Sequence, residues 1–328
     1  MAIPKLQHCP GTLATGYQTY SRTCLKRVFN GRKVHHVLKY DSPAMNAEMR
    51  ELFDEHRKQI SISGVQEKFS ILLDKNQIRL AQEGERGTHI LKPIPQVGKR
   101  ADQMPANEHV TMQIARQVYK INTAENALIF FQDGSPAYLT KRFDTTDTGE
   151  KRAQEDFAAL AQRTPHTHGE HYKYTGNYLE LFDWMKAYLP AYQPEAVKLF
   201  KQLIFNYLFS NGDAHLKNFS LLETPMGDSM LSPAYDLLNS RIHVEDADFA
   251  LEEGLLPKRI NQGKISQKFR MLAEQAGIKT KISERILAFM LKQSEAVQTL
   301  VTASFLDPKT KRSYLQQYQT RVKKLARG

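Results

Sequence analysis

The sequence FSNGDAHLKNFSLL, residues 209–222, places several polar side chains between two apolar segments of the chain. The apolar run LFKQLIFNYLF precedes these side chains, and Asn211-Gly212 ends the run. Asp213, a histidine, a lysine and Asn218 follow within six residues. Burying polar groups without hydrogen-bond partners costs free energy, so this bend is either a functional site or a polar turn in which Asp213 caps a helix.

Asp213 and Asn218 have the D-x-x-x-x-N spacing of a protein-kinase catalytic loop. In such a loop the aspartate accepts the proton of the substrate hydroxyl group and the asparagine holds Mg²⁺. Asp236, in LSPAYDLLNS, follows 18 residues after Asn218, where a kinase places its second metal-binding aspartate. Carboxylate and amide oxygens suit Mg²⁺. Taken alone, Asp213 and Asp236 are explained as well by a role in a turn or a helix cap as by a kinase site.

The first half of the chain is rich in predicted strands. KFSILLD alternates in polarity, KNQ forms a turn before IRLAQ, and GTHILKPIP is a short strand that ends at Pro93. NALIFFQDGSPAYLTKRFD predicts a hairpin whose turn is Asp133-Gly134. One helix, NEHVTMQIARQVYK, carries apolar side chains at every fourth position and Glu108 in its first turn, where the helix dipole favours an anion.

Two features of this half suit a nucleotide. Small residues around Gly64 in QISISGVQEKFSILLD precede a strand that begins near Lys68, and their backbone N–H groups suit phosphate oxygens. Lys92, in HILKP, lies among apolar neighbours, where a lysine needs an anionic partner. A phosphate and Glu108 are both candidates for that partner. The alternative for Lys92 is an edge-strand position facing water.

The second half of the chain is mainly helical. After Asp144 the polar segment TTDTGEKRAQED leads into NYLELFDWMKAYL, which ends at Pro190, and PEAVKLFKQLIFNYLF has Pro194 in its first turn. The C-terminal part adds further amphipathic helices. These patterns predict an α+β protein with two lobes and a cleft between them. We expect a β-rich N-lobe with one helix in residues 1–144, and an all-helical C-lobe in residues 145–328.

The composition is typical of a globular protein: the 328 residues are 41% apolar and 25% charged. The chain has no run of about 20 apolar residues and no apolar signal-peptide segment, so we expect a cytoplasmic protein without a membrane partner. We expect Cys9 and Cys24 to be reduced thiols. The formal net charge of +11 favours polyanionic partners. Because the basic residues are spread over separate stretches, direct sequence-specific nucleic-acid binding is a minor alternative.

The motifs occur in an order that resembles one known family. SISGVQEKFSILL, HILKP, NEH, KRFD, QED, NGDAHLKNFSLL and PAYDLLN, in this order, look like the motifs of the HipA-like serine/threonine toxin kinases of bacteria. The resemblance covers residues 58–240 and extends more loosely through SFLDPKTKRSYLQQYQTRV. The chain length resembles the short HipT-type branch of tripartite toxin–antitoxin systems. In that branch a separate small protein supplies the N-terminal subdomain of full-length members.

The resemblance implies a protein-kinase-like fold that uses ATP and Mg²⁺. In this comparison Asp213 matches the catalytic base, and Asn218 and Asp236 match the Mg²⁺ ligands. One departure concerns the residue before the base. Asp213 is preceded by Gly212, so it is not part of an H-R-D motif. We therefore expect the geometry around it to differ from that of eukaryotic kinases.

Further residues are implied around the nucleotide. Lys92 matches the lysine that contacts the phosphates, with Glu108 as its possible partner. Ser61 matches the family's autophosphorylated serine, and Ser63 is the second serine of the SIS pattern typical of the short branch, so we expect autophosphorylation at Ser61, Ser63 or both. The residues that the resemblance places around ATP are Ser63, Gly64, Val65, Gln66, Glu67, Lys68, Lys92, Lys141, Arg142, Phe143, His215, Leu216, Lys217, Asn218, Tyr235 and Asp236.

The implied activity is transfer of the ATP γ-phosphate to a serine or threonine of a cytoplasmic protein. In the family that protein is an aminoacyl-tRNA synthetase, so translation would be inhibited. The implied partners are a HipB-like helix-turn-helix antitoxin and a small HipS-like protein, with DNA reached only through the antitoxin. The alternative is a non-enzymatic binding module with a degenerate kinase fold. The presence of Asp213, Asn218 and Asp236 favours the kinase.

Overall fold

The computed structural model describes residues 5–44, 49–51, 67–96, 98–146 and 150–327. The chain forms two compact units. The first consists of Met1–Gln113, Ala124–Glu150 and Thr299–Lys311, and the second of Ile114–Thr123, Lys151–Gln298 and Arg312–Gly328. The sequence predicts a single division after residue 144. In the structure the first unit extends to residue 150 and also includes residues 299–311, whereas residues 114–123 belong to the second unit. No change of composition marks these two segments in the sequence.

The first unit contains a five-stranded antiparallel sheet with the strand order β2-β1-β3-β5-β4. Its strands are β1 Phe69–Asp74, β2 Gln77–Leu80, β3 His89–Lys92, β4 Asn126–Phe130 and β5 Pro136–Lys141. The predicted hairpin between β4 and β5 is confirmed. Gly134 has a φ of +83°, which glycine adopts without strain, and the Asp133 carboxylate accepts hydrogen bonds from the backbone N–H groups of Ser42 and Ser135.

The first unit also contains a helix that the sequence did not predict. Helix α1, Arg22–Val28, begins after Ser21, whose side chain accepts a hydrogen bond from the backbone N–H of Cys24. The helix buries only Cys24 and Val28, too few residues for an apolar period to be recognised. The prediction of one helix in the N-lobe is therefore wrong. Cys9 and Cys24 are buried free thiols, as expected.

Helix α2, Met104–Gln117, corresponds to the predicted helix but begins three residues earlier than its apolar pattern indicates. Pro105 lies in its first turn, where a missing backbone N–H removes no hydrogen bond. Glu108 therefore lies in the second turn, and its predicted place in the first turn is wrong. The helix dipole, which acts within the first turn, does not account for this acid.

Helices dominate the rest of the chain. They are α3 Phe157–Leu160, α4 Pro165–His168, α5 Leu179–Tyr188, α6 Tyr192–Leu208, α7 Ile265–Gln275, α8 Thr280–Leu291, α9 Ser294–Ala303 and α10 Pro308–Ala326. Short 3₁₀ helices cover Ala101–Gln103, Tyr172–Tyr174, Leu216–Asn218 and Ser240–Ile242. Helix α6 is buried on most of its surface, which explains the long apolar run before the polar bend. Among the described residues, no helix has the length and apolar character needed to cross a bilayer.

The second unit is not all-helical. Strands β6 Gln154–Asp156, β7 Ser220–Glu223 and β8 Ser229–Leu231 form a three-stranded antiparallel sheet. Strands of three or four residues are too short to show the alternation on which strand prediction depends. The predicted α+β class is confirmed, but the all-helical description of residues 145–328 is wrong.

The net positive charge is concentrated at one end of the chain. Residues 255–328 contain 16 lysines and arginines against 4 aspartates and glutamates, whereas residues 1–254 contain 30 against 31. The basic residues are thus spread along the chain, as expected from the sequence, but the net positive charge is not, because few acidic residues balance them after residue 254. Attraction of polyanions is expected to be strongest at the C-terminal helices.

Candidate active site

The polar bend after α6 is a loop that is fixed through its main chain. Ser210 has a φ of +51°, in the left-handed region. The backbone N–H of Gly212 donates a hydrogen bond of 2.9 Å to the Ser240 hydroxyl oxygen. A Cβ atom at Gly212 would lie 2.3 Å from Cγ of Asp246, so a side chain at this position would collide with the carboxylate. A residue larger than glycine directly before Asp213 would therefore require the Asp246 carboxylate to move.

Asp213 begins a tight turn whose hydrogen bonds converge on its main chain. Its carbonyl oxygen accepts hydrogen bonds of 2.8 Å from the backbone N–H of His215 and from Nδ2 of Asn218. Its side chain is 51% exposed, and Oδ1 accepts a hydrogen bond of 2.8 Å from the hydroxyl group of Tyr174. The N-cap of the following 3₁₀ helix is His215. The alternative in which Asp213 caps that helix is therefore excluded.

Asp236 lies on a segment that is tied to the same loop. Asn211 Nδ2 donates a long hydrogen bond of 3.5 Å to the Asp236 carbonyl oxygen, and the Tyr235 hydroxyl group donates one of 2.9 Å to the Lys217 carbonyl oxygen. Asp236 has a φ of +53°, a conformation that is uncommon outside glycine and often found at functional sites. The segments that carry Asn218 and Asp236 thus come together, and their amide and carboxylate oxygens suit Mg²⁺.

In the first unit, Lys92 and Glu108 form a buried ion pair. Lys92 is the last residue of β3, a central strand of the five-stranded sheet. Its Nζ lies 2.6 Å from Oε1 of Glu108, and the two side chains are 4% and 2% exposed. The same Nζ lies 5.3 Å from the ring centroid of Tyr138, within the range of a cation–π contact. An edge-strand lysine that faces water is therefore excluded.

The remaining residues that the sequence places around ATP occupy strand ends and the polar loop. Glu67 and Lys68 are half-buried and directly precede β1. Lys141 and Arg142, at the end of β5, make polar contacts with Asn30 and Asp144. His215 and Leu216 are buried in the loop. The predicted residues Ser61, Ser63, Gly64, Val65 and Gln66 lie outside the described residues.

Two tyrosines at the site were missed by sequence reasoning. Tyr174 contacts Asp213 across 39 residues of sequence. The Tyr178 hydroxyl group donates a hydrogen bond of 2.7 Å to the carbonyl oxygen of Ala214. Both tyrosines lie in HYKYTGNY, but tyrosines are ordinary core residues. No spacing rule connects this segment with the polar bend.

The fold defines a class of protein. A HipA protein of Shewanella oneidensis, solved with HipB and its operator DNA, aligns with a TM-score of 0.61 and 20% identity over 82% of this chain and 64% of that chain. The Helicobacter pylori proinflammatory kinase CtkA aligns with a TM-score of 0.52 and 13% identity over 78% of this chain and 92% of that chain. At such identities the alignments show the fold alone. They confirm the predicted α+β, protein-kinase-like fold.

The model of the HipA-like C-terminal domain family matches residues 60–298. The chain therefore belongs to this family, as its motifs indicate. Among curated relatives, "Putative kinase Y4dM" of Sinorhizobium fredii is 31% identical over 58% of this chain, and a "Putative kinase" of Haemophilus influenzae is 24% identical over 75%. The chain spans 47% of the length of the first relative and 76% of the length of the second.

Proposed function

We propose that this protein is a serine/threonine protein kinase that uses ATP and Mg²⁺ and acts as the toxin of a toxin–antitoxin system. The observation that most supports the proposal is the polar loop, on which Asn218 is hydrogen-bonded to Asp213 and to which the segment carrying Asp236 is tied. Phosphoryl transfer requires a proton acceptor and metal-binding oxygens close to one phosphate. The kinase-like fold and the relatives named as kinases agree with this function.

In the proposed mechanism, the Asp213 carboxylate accepts the proton of the substrate hydroxyl group. This carboxylate is half exposed, so a serine or threonine of another protein can reach it. Asn218 and Asp236 would hold the metal through their side-chain oxygens. Bound ATP would supply the phosphoryl group and leave as ADP, and Mg²⁺ would reduce the negative charge of the phosphates.

The first unit supplies the proposed phosphate contact. Lys92 provides the positive charge, and Glu108 fixes the direction of its side chain. The remaining ATP contacts are proposed for Ser63, Gly64, Val65, Gln66, Glu67, Lys68, Lys141, Arg142, Phe143, His215, Leu216, Lys217 and Tyr235.

Incubation with labelled ATP tests the activity. The purified protein, with and without Mg²⁺, is compared with Asp213→Asn and with Asp183→Asn, a control at an exposed position of α5. We expect Asp213→Asn to reduce transfer by about 10²–10⁴-fold, because that is the usual contribution of a general base, and Asp183→Asn to retain it. If the wild type labels neither itself nor any protein of a lysate, the chain is a non-catalytic binding module and the proposal fails.

We also propose a substrate and partners for this activity: an aminoacyl-tRNA synthetase as the target, a HipB-like helix-turn-helix antitoxin, and a small HipS-like protein. The Shewanella oneidensis HipA was solved in a complex with HipB and operator DNA, which supports an antitoxin partner. Phosphoproteomics after brief expression of the wild type and Asp213→Asn tests the target. A synthetase peptide should gain phosphate only with the wild type, and phosphate on unrelated proteins alone would contradict this choice.

Autophosphorylation at Ser61 and Ser63 completes the proposed function. A phosphate adds about −1.5 to −2 charge and three acceptor oxygens. In a loop proposed to contact ATP, that charge repels the phosphates of the nucleotide. Turnover of ATP should therefore fall once these serines are modified.

A further inference from the structure

Two tyrosines of one segment of the second unit, Tyr174 and Tyr178, donate hydrogen bonds to the consecutive loop residues Asp213 and Ala214. Tyr174 donates its hydrogen bond to Oδ1 of Asp213, at 2.8 Å, whereas Tyr178 donates to the main-chain carbonyl oxygen of Ala214, at 2.7 Å. The second contact supports only the main chain. The first holds a carboxylate whose side chain is half exposed.

The segment that carries Tyr174 is itself anchored. The Tyr174 carbonyl oxygen accepts a hydrogen bond of 2.9 Å from the backbone N–H of Glu252. The next carbonyl oxygen, of Thr175, accepts one of 2.6 Å from Nη1 of Arg163. The phenol group therefore reaches Asp213 from a main chain that is held by hydrogen bonds to two other segments of the second unit.

Two neighbouring side chains also contact the Tyr174 ring. It lies edge-on to the imidazole of His215, with ring centroids 5.2 Å apart and an interplanar angle of 78°. The Nζ of Lys173 lies 5.0 Å from the ring centroid. Burial, followed by the charge of Asp213, raises the pKa of the Tyr174 phenol well above its usual value. The phenol group thus stays protonated near neutral pH and acts as a hydrogen-bond donor.

We propose that Tyr174 is a positioning residue for phosphoryl transfer, because its hydroxyl group fixes the orientation of the Asp213 carboxylate. This inference rests on the proposed function, in which Asp213 is the general base. A half-exposed carboxylate at the start of a loop can rotate about its side-chain bonds. A general base must be aligned within hydrogen-bond reach of the reacting hydroxyl group, and loss of alignment by about 1 Å can cost about 10²-fold in rate.

The test compares Tyr174→Phe with Tyr172→Phe. Tyr172 lies on the same 3₁₀ helix, and its main-chain N–H and carbonyl groups form hydrogen bonds with Gly169 and Thr175. The control Tyr172→Phe therefore removes a phenol oxygen two residues from Tyr174 and leaves these bonds in place. We expect Tyr174→Phe to lower kcat by about 10- to 100-fold, with KM for ATP and the melting temperature nearly unchanged. Tyr172→Phe should retain the wild-type kcat.

Three results would overturn the inference. An unchanged kcat in Tyr174→Phe would show that the hydrogen bond does not align the base. A raised kcat would show that the phenol group occupies the place of the acceptor hydroxyl group and inhibits the enzyme. A parallel loss of thermal stability and rate would indicate a structural role only, and would also contradict the inference.

A second measurement separates this inference from the proposed function, because it needs no activity. A cycle of Tyr174→Phe, Asp213→Ala and the double variant measures their coupling in urea unfolding. We expect a small coupling, of about 1.4- to 5-fold in the unfolding equilibrium constant, because the hydrogen bond is made to a half-exposed carboxylate. Absence of coupling together with an active wild type refutes the role of Tyr174 alone. An inactive wild type refutes the proposed function, whatever the coupling.

Discussion

Replacing Glu108 by alanine should strongly destabilise the protein, because it removes the carboxylate from the buried charge of Lys92. The two charged atoms lie 2.6 Å apart, and the side chains are 4% and 2% exposed. Bulk water therefore cannot replace the lost carboxylate. Removing one member of a buried ion pair costs about 3–5 kcal/mol, a large part of the total stability of an ordinary domain, about 5–15 kcal/mol.

A second ion pair of the same unit provides the control. Arg27 and Glu125 lie 2.8 Å apart, with side chains that are 25% and 23% exposed. Water can reach Arg27 after the replacement Glu125→Ala, so we expect a cost of about 1 kcal/mol or less. The two alanine variants remove the same chemical group and differ mainly in the burial of the cation left behind.

The combined replacement Lys92→Met and Glu108→Leu separates stability from function. Apolar residues of similar volume often replace a buried ion pair without loss of stability, so this variant should unfold within about 1 kcal/mol of the wild type. It should still fail to transfer phosphate, because the proposed phosphate contact is gone. Urea unfolding and the labelled-ATP assay measure the two effects. A cost for Glu108→Ala no larger than that for Glu125→Ala would refute the burial argument, and transfer by the combined variant would refute the role of Lys92.

Three further predictions concern the metal, pH and the predicted serines. Asp236→Ala should weaken nucleotide binding in calorimetry with Mg²⁺ but not without it, and an unchanged Mg²⁺ dependence would contradict the assignment. Burial lowers the pKa of His89 and of His109 to about 4, whereas the unfolded chain titrates near 6.5. The folded state therefore binds fewer protons than the unfolded state below pH 6.5. The free energy of unfolding should be highest above pH 6.5 and should fall toward pH 4, with a loss of about 2 kcal/mol for each histidine at pH 5. Equal urea midpoints at pH 7 and pH 5 would contradict this prediction. Mass spectrometry should find phosphate on Ser61 or Ser63 in the active protein and not in Asp213→Asn. Equal phosphorylation in the active protein and in the variant would exclude autophosphorylation.

The sheet of the first unit was predictable where its signals are local. Phe69–Asp74 and Gln77–Leu80 flank a turn at which Lys75 adopts a φ of +51°, and strand alternation and turn residues are visible within a few positions. The environment of Lys92 was not predictable in the same way. Its burial depends on β3 lying between β1 and β5, and β5 follows in the sequence only after helix α2 and β4.

In the candidate site, too, the contacts within one short loop were predictable and the long-range contacts were not. Asp213 and Asn218 are recognisable because they share one short loop, where spacing alone places them together. The hydrogen bond from Tyr174 joins residues that are 39 positions apart, and it depends on how the segment before α5 packs on the loop. Short-range patterns carry no information about such a contact.

The polar bend is explained by two different constraints, one on its main chain and one on a side chain. The carbonyl oxygen of Asp213 accepts two hydrogen bonds, that of Ala214 accepts one from Tyr178, and the N–H of Gly212 is bonded to a serine. These bonds hold the main chain of residues 212–214 without using the side chain of Asp213. A hydrogen bond to a half-exposed carboxylate adds little to stability. The contact from Tyr174 to Asp213 is therefore better explained by the orientation it gives that carboxylate than by any contribution to folding.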